Sequence, residues 1–333
     1  MNFKHVTVAG SGVLGSQIAF QVAFKGFDVT IYDINDEAIK KAKERIEILK
    51  GRYKEEVINA KDDVAAIASR IHYNSNLLPN IDVIFQKEVD YVEGEVEAGY
   101  KRIRFSSDLK EAVKDADLVI EAVPELISVK EDFYKKLGEV APAKTIFATN
   151  SSTLVPSQFA HFTGRPEKFL ALHFANEIWK NNTAEIMGHK DTDPAVYKQL
   201  VEFAGAIGMV PLEVKKEQPG YILNSILVPF LEAAQMLLLE GVADAETIDK
   251  TWMLATGSPQ GPFATLDVVG ITTAYNIMQN YAQTADSEDK RYARMAEMLK
   301  RDYIDKGKLG VATGEGFYKY PNPSFKDPSF LKA

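Results

Sequence analysis

The chain has 333 residues, 46% hydrophobic and 26% charged, a mixture that can bury a sizeable core and excludes wholesale disorder. Lys and Arg total 39 against 47 Asp and Glu, a net charge of −8, so a groove that neutralises many nucleic-acid phosphates is not expected. There is no cysteine, which removes disulfides, thiolate metal sites and cysteine nucleophiles together and fits a reducing, cytoplasmic setting; no metal is expected.

The length predicts two domains. The opening MNFKHVTVAGSG does not read as a secretory leader, and no apolar run is long enough to suggest a membrane span. His5–Ala9 reads as a strand, 15–26 as a helix, Asp28–Tyr32 as a second strand and 37–50 as a charged helix. Residues 70–104 mix turn formers with an acidic stretch and are expected to form a hairpin-like, solvated insertion. Near-continuous apolar runs follow at 117–123, 145–149 and Phe169–Phe174, the pattern of parallel strands covered on both faces. Strand–helix alternation of this kind predicts an α/β fold, with a Rossmann-type doubly wound parallel sheet over residues 1–214. Pro211, Pro219 and Gly220 then punctuate the chain, and 221–240, 245–254, 263–282 and 290–304 read as four helices. A C-terminal all-helical domain is therefore expected over 215–333. Its first helix carries more than one apolar face, which predicts a homodimer through residues 215–320.

Gly10, Ser11, Gly12, Val13, Leu14 and Gly15 form a G-x-G-x-x-G run directly after a strand and at the start of a helix. Gly10 permits the tight turn, Gly12 lets backbone amides approach a pyrophosphate, and Gly15 lets helix and strand pack closely. The helix N-terminus then presents its partial positive charge to the phosphates. Asp33 lies 23 residues after Gly10, where a carboxylate accepts from the ribose hydroxyls and repels a 2′-phosphate. The expected cofactor is NAD.

Of the five histidines, His5 reads as structural, and His72, His161 and His189 as exposed. His173 ends an apolar strand, where ligands gather in open α/β sheets. Ser151, Ser152 and Thr153 follow another strand end and should face the same crevice. Glu185, twelve residues past His173, is an acid flanked by apolar groups that could orient a histidine. A base, an acid to hold it and hydroxyls would then converge beside a nicotinamide.

The segments GSGVLGSQIA, DLVIEAVPE, TIFATNSSTL, LALHFAN, PGYILN, GPFATLDVVG and TGEGFYKY, in this order, resemble the L-3-hydroxyacyl-CoA dehydrogenase family along essentially the whole chain. Within it the chain is most similar to the diketoreductase branch. The resemblance implies His173 as general base, Glu185 as its partner, Ser152 at the substrate oxygen and Asn224 as a further catalytic group. It implies Glu125 and Lys130 as cofactor contacts near the ribose and Asn176 as a contact on the nicotinamide side. The family usually reads His-Phe-Phe-Asn-Pro where this chain has His173-Phe174-Ala175-Asn176-Glu177. At the positions where the family offers a serine and a lysine to CoA stand Leu49 and Glu56, with Lys50, Arg52 and Lys54 nearby, and a family lysine at the cofactor aligns with Ala312. Three functions follow as expectations. The first is NAD-dependent interconversion of a short (3S)-3-hydroxyacyl-CoA and its ketone, and the second the same chemistry on a CoA-free β-keto or diketo acid or ester. The third is a structural role without catalysis, as in crystallin relatives. The partner is a small molecule in the first two cases.

Overall fold

A computed structural model describes residues 3–62, 86–284 and 290–332. Contacts divide the chain into two units, Met1–Ile222 and Leu223–Ala333.

The first unit is built on an eight-stranded sheet in the order β3-β2-β1-β4-β5-β6-β7-β8. Its strands are β1 (His5–Ala9), β2 (Asp28–Tyr32), β3 (Ile103–Ser106), β4 (Leu118–Glu121), β5 (Ile146–Thr149), β6 (Phe169–Phe174), β7 (Thr183–Met187) and β8 (Val210–Val214). Neighbours from β3 across to β6 pair in parallel, β7 runs antiparallel to β6, and β8 is parallel to β7. Alternation sorts the side chains into two layers. Val6, Val8, Leu118, Ile120, Ile146 and Leu170 join one core with α1 (Val13–Phe24) and α2 (Asp36–Asp62), while Ala9, Val119, Phe147 and Phe169 join the other. The second layer includes Ala112 and Val113 of α4 (Leu109–Val113) and Phe133, Tyr134 and Leu137 of α5 (Ile127–Val140). The first layer is completed by Leu200 and Phe203 of α6 (Pro194–Ala206).

The insertion departs from the sequence reading where it is described. Residues Gln86–Lys101 form a helix, α3, not a hairpin, and β3 follows it as a sheet strand; residues 70–85 lie outside the described set. Val92, Val96 and Gly99 recur at helical spacing and are buried, and a Cβ on Gly99 would meet the Phe24 backbone at 2.8 Å. The acidic residues between them, read as a solvated run, are the outer face of that helix. Helix α2 also continues past residue 50, through the buried Tyr53, to Asp62. His189 is not exposed: its side chain is 1% accessible and its Nε2 lies 3.0 Å from the Pro166 carbonyl. The two strands the sequence did not separate, β7 and β8, are five residues each, and β8 carries Pro211, which an edge strand tolerates.

The second unit is helical: α7 (Leu223–Leu239), α8 (Ala245–Thr256), α9 (Pro262–Val269), α10 (Ile271–Thr284) and α11 (Arg291–Asp302). The single helix expected over 263–282 is two, because Gly270 at φ +93 caps α9 and Ile271 N–H turns to the Leu309 carbonyl. Leu231, Met253, Phe263, Ile271, Met295 and Leu299 form its core. Two buried carboxylates pin the tail onto it. Asp249 accepts from the Phe263 and Ala264 amides and the Tyr318 hydroxyl; Asp267 accepts from the Phe317 and Tyr318 amides and the Tyr320 hydroxyl. Burial pushes both carboxyls above their ordinary titration range, with those donors pulling the other way.

Candidate active site

The glycine loop leaves β1 through Gly10 at φ +99, whose N–H bonds the Tyr32 carbonyl. A Cβ on Gly10 would lie 2.4 Å from the Ala122 carbonyl oxygen, and one on Gly15 would lie 2.0 Å from the Gly10 oxygen, so both positions require glycine. Gly12 is different: nothing lies within 4 Å of its would-be Cβ. It caps α1 without a side-chain hydrogen bond, so the first-turn amides of that helix face an open cradle. Asp33 shapes the far wall: Oδ2 accepts from Ser11 N and Oγ at 2.8 and 2.5 Å, and Oδ1 from Ile34 N at 2.7 Å. Arg45 of α2 donates to the Ser11 carbonyl at 2.9 Å and braces the turn from behind. Val13 and Ile34 stand bare, 66% and 77% exposed, apolar groups suited to a base or ribose face. The sequence reading missed Ile34, whose signal is an apolar residue just past the acid that follows the second strand. An uncapped helix start, an open cradle at Gly12 and a carboxylate at the second strand fit a dinucleotide.

Register carries the line from this loop to the histidine. Ala9 pairs with Glu121, Glu121 with Thr149, and Thr149 with Ala171, so the last residues of β1, β4 and β5 lie in one row with Ala171 of β6. At roughly 4.8 Å per strand that row spans about 14 Å. His173 lies two residues beyond Ala171 in β6, on the same carboxyl edge of the sheet as the glycine loop. The antiparallel turn of β7 sets Glu185 directly opposite it, and His173 Nδ1 lies 3.0 Å from Glu185 Oε2. Both are buried, 4% and 2% exposed. Ser152 Oγ lies 3.1 Å from His173 Nε2. Asn150, not singled out in the sequence, accepts from the Phe174 amide at 3.0 Å and ties the ends of β5 and β6 together. His173, Glu185 and Ser152 are thus one hydrogen-bonded constellation.

The other expected site residues take separate places. Glu125, after β4, accepts from the Ser151 hydroxyl and from Thr153 N and Oγ1 at 3.1 and 3.0 Å. Burial raises its titration, but Lys130 and these donors outweigh that and hold it below the usual carboxylate range. Lys130 is 1% exposed, its ammonium 2.6 Å from Glu121 and 3.2 Å from Glu125. Glu121, the buried end of β4, also accepts from Val123 N, Tyr134 Oη and Thr149 Oγ1. Sequence reasoning passed over Glu121, though an acid inside an apolar strand was a visible signal. Asn176 is exposed in the turn after β6. The next residue, Glu177, takes φ +56, which proline cannot adopt, and its amide donates to Gln17 of α1. Asn224 is the second residue of α7, in the second unit. Leu49 and Glu56 are both buried, and Glu56 pairs with Lys180 at 2.9 Å. Lys50 and Lys54 both reach Glu97 of α3, at 2.9 and 2.5 Å.

A dinucleotide cradle on the same sheet edge as an acid-held imidazole defines an NAD-dependent dehydrogenase. Comparison with known proteins agrees. Residues 5–85 and 79–218 match the NAD binding domain of 3-hydroxyacyl-CoA dehydrogenase, and 220–320 match that enzyme's C-terminal domain. The mitochondrial hydroxyacyl-coenzyme A dehydrogenase of Homo sapiens is 32% identical over 95% of this chain and 91% of its own. A probable 3-hydroxybutyryl-CoA dehydrogenase of Bacillus subtilis is 31% identical over 96% and 98%. Among solved structures, a diketoreductase described as acting on dicarbonyl compounds superposes with a TM-score of 0.79 at 54% identity, covering 96% of this chain and 100% of that one. The chain belongs to the 3-hydroxyacyl-CoA dehydrogenase family, whose members are NAD-dependent oxidoreductases. Its first unit is the Rossmann NAD-binding domain and its second the C-terminal helical domain.

Proposed function

We propose that this enzyme interconverts β-hydroxy and β-keto compounds that carry no CoA, with a β-dicarbonyl acid or ester as the ketone. The observation that carries the choice of carrier is Glu97. Of the three basic residues near the positions where the family meets CoA, Lys50 and Lys54 are both engaged by this one carboxylate, and Arg52 pairs with Glu55 at 3.2 Å. The positions where the family offers a serine and a lysine are the buried Leu49 and the ion-paired Glu56. The likeness to a diketoreductase at 54% identity supports the same choice, against 31–32% for relatives named as CoA enzymes. The CoA thioester remains the second reading, favoured by the family match over both units.

When bound, NAD accepts hydride from the carbinol carbon or returns it to the ketone. His173 Nε2 takes the hydroxyl proton in the oxidising direction and gives it back in the other. Glu185 holds Nδ1–H, which fixes the tautomer and offsets the charge of the imidazolium. Ser152 Oγ, beside Nε2, donates to the substrate oxygen and places it within reach of the ring. Glu125 accepts from a ribose hydroxyl, with Lys130 behind it, and Asn176 lies toward the nicotinamide. Asn224 is assigned a further polar contact to the substrate on the family resemblance alone. In the second unit, Ile226, Leu237, Leu254 and Val268 expose apolar side chains, and a second copy of the chain is the proposed cover. Sedimentation at micromolar concentration is expected to give a dimer, and a monomer alone would refute this.

The test is a substrate panel with NADH: acetoacetyl-CoA, ethyl acetoacetate and a 3,5-diketo ester. The diketo ester is expected to show a kcat/KM at least tenfold above that of acetoacetyl-CoA. The reverse order would establish the thioester reading.

A further inference from the structure

The last two residues of the first unit lie against both members of the dyad. The ring of Tyr221 stacks on the His173 imidazole, with centroids 4.5 Å apart and planes 16° from parallel. The next amide, Ile222 N–H, donates at 2.9 Å to Glu185 Oε1, the oxygen that His173 does not use. The backbone is bent sharply to achieve this. Gly220 and Tyr221 take consecutive positive φ values, +81 and +54. The second is a conformation that a bulky side chain rarely adopts and that persists only where its surroundings impose it. Those surroundings are Ala171, Met187 and Val214, among which Tyr221 is 1% exposed.

We propose that Tyr221 is a positioning residue for His173: its ring fixes the plane of the imidazole and faces the positive charge that develops when His173 carries the substrate proton. This rests on the reading of His173 as the proton carrier. Glu185 and Ser152 hold the two ring nitrogens in the imidazole plane, and neither resists tilting of the ring out of that plane. An offset-stacked aromatic face does. The same face attracts a cation within about 6 Å through the ring quadrupole, most strongly where water is excluded. The phenol itself stays neutral. Burial pushes its titration far above the usual value, and the carboxylates of Glu125 after β4, Glu185 on β7 and Glu121 at the end of β4 add to that. Tyr221 therefore supplies a neutral ring and not a phenolate base.

Tyr221→Leu, Tyr221→Phe and His173→Gln are compared for NADH affinity by fluorescence titration. Their kcat and kcat/KM for the diketo ester are followed from about pH 5 to about pH 9. The leucine variant is expected to lose roughly ten- to a hundredfold in kcat with NADH affinity held within about twofold. The midpoint of its kcat/KM profile should move to lower pH by about half a unit to one unit. Tyr221→Phe, which keeps the ring, should recover the kcat and the midpoint. If the leucine variant does not fold, Tyr221→Met, which fills the space without an aromatic face, is read by the same criteria. Full kcat with an unmoved profile in the leucine or methionine variant overturns the proposal. So does a phenylalanine variant that falls as far as leucine, since the effect would then belong to the hydroxyl. An active His173→Gln enzyme would overturn the reading of His173 itself. An inactive one beside an unaffected leucine variant would overturn only the role of Tyr221.

Discussion

Replacing Lys130 by Met tests how the two carboxylates at and after the end of β4 are held. The ammonium is 1% exposed and lies between Glu121 and Glu125, and Glu121 is wholly buried. Removing one partner of a buried ion pair leaves the other charge uncompensated, at a cost of about 3–5 kcal/mol. Three donors remain on Glu121, namely Val123 N, Tyr134 Oη and Thr149 Oγ1, so the lower end applies. About 3 kcal/mol corresponds to a fall of roughly 6–12 °C in Tm for a unit of this size. Circular dichroism melting reads this directly. Adding Glu121→Gln removes the stranded charge and should restore more than half of the loss. A melting temperature within about 2 °C of the parent, or a double variant no better than the single one, would show that the Lys130–Glu121 pair does not hold this end of β4. NADH should also bind more weakly to Lys130→Met, because Glu125 loses its cation.

Other expectations follow from the same contacts. Glu185→Gln keeps the shape of the dyad but lets only one oxygen serve both His173 Nδ1 and Ile222 N. With about 4 kcal/mol of ion-pair stabilisation at an effective dielectric near 20, kcat should fall about a thousandfold while NADH affinity holds; a loss below tenfold would argue against the dyad. Glu97→Gln releases Lys50 and Lys54 and should lower the KM for acetoacetyl-CoA severalfold without moving that for a free diketo ester. Equal shifts for both substrates would disconnect these lysines from CoA. Asp267→Asn presents an amide N–H₂ to donors that need an acceptor and should destabilise the helical unit by about 1–3 kcal/mol. The buried carboxyl titrates above its unfolded range, so its contribution is greatest below that range and declines as pH rises through the folded titration. The melting gap between parent and variant should accordingly be wider near pH 4 than near pH 7, and a gap that widens with pH would mean that folding lowers the Asp267 titration instead of raising it.

The nucleotide loop was legible from local sequence, since Gly10, Gly12 and Gly15 follow a strand and open a helix, which is a short-range pattern. The dyad was legible only as two residue names. What brings His173 to Glu185 is an antiparallel register between two short strands, and five residues of β7 are too few to declare its direction. Tyr221 was hidden for a similar reason. It read as the start of a helix, whereas its left-handed backbone turns its ring back onto β6. Helix α3 was obscured by charge: Glu93, Glu95 and Glu97 suggested a solvated excursion, while Val92, Val96 and Gly99 kept the helical period underneath. Glu121 lay in plain view within an apolar strand, but the donors that compensate it come from two other elements, Lys130 and Tyr134 from one face of α5 and Thr149 from the end of β5.

In the proposed reaction the imidazole at 173 moves the proton while hydride passes between NADH and the β-carbon. Rapid mixing of saturated enzyme·NADH with the diketo ester, in parent and His173→Gln forms, measures that step in a single turnover. NADH oxidation is expected to be at least about a thousandfold slower in the variant, with NADH affinity within about twofold of the parent. A variant that oxidises NADH within tenfold of the parent rate would contradict it.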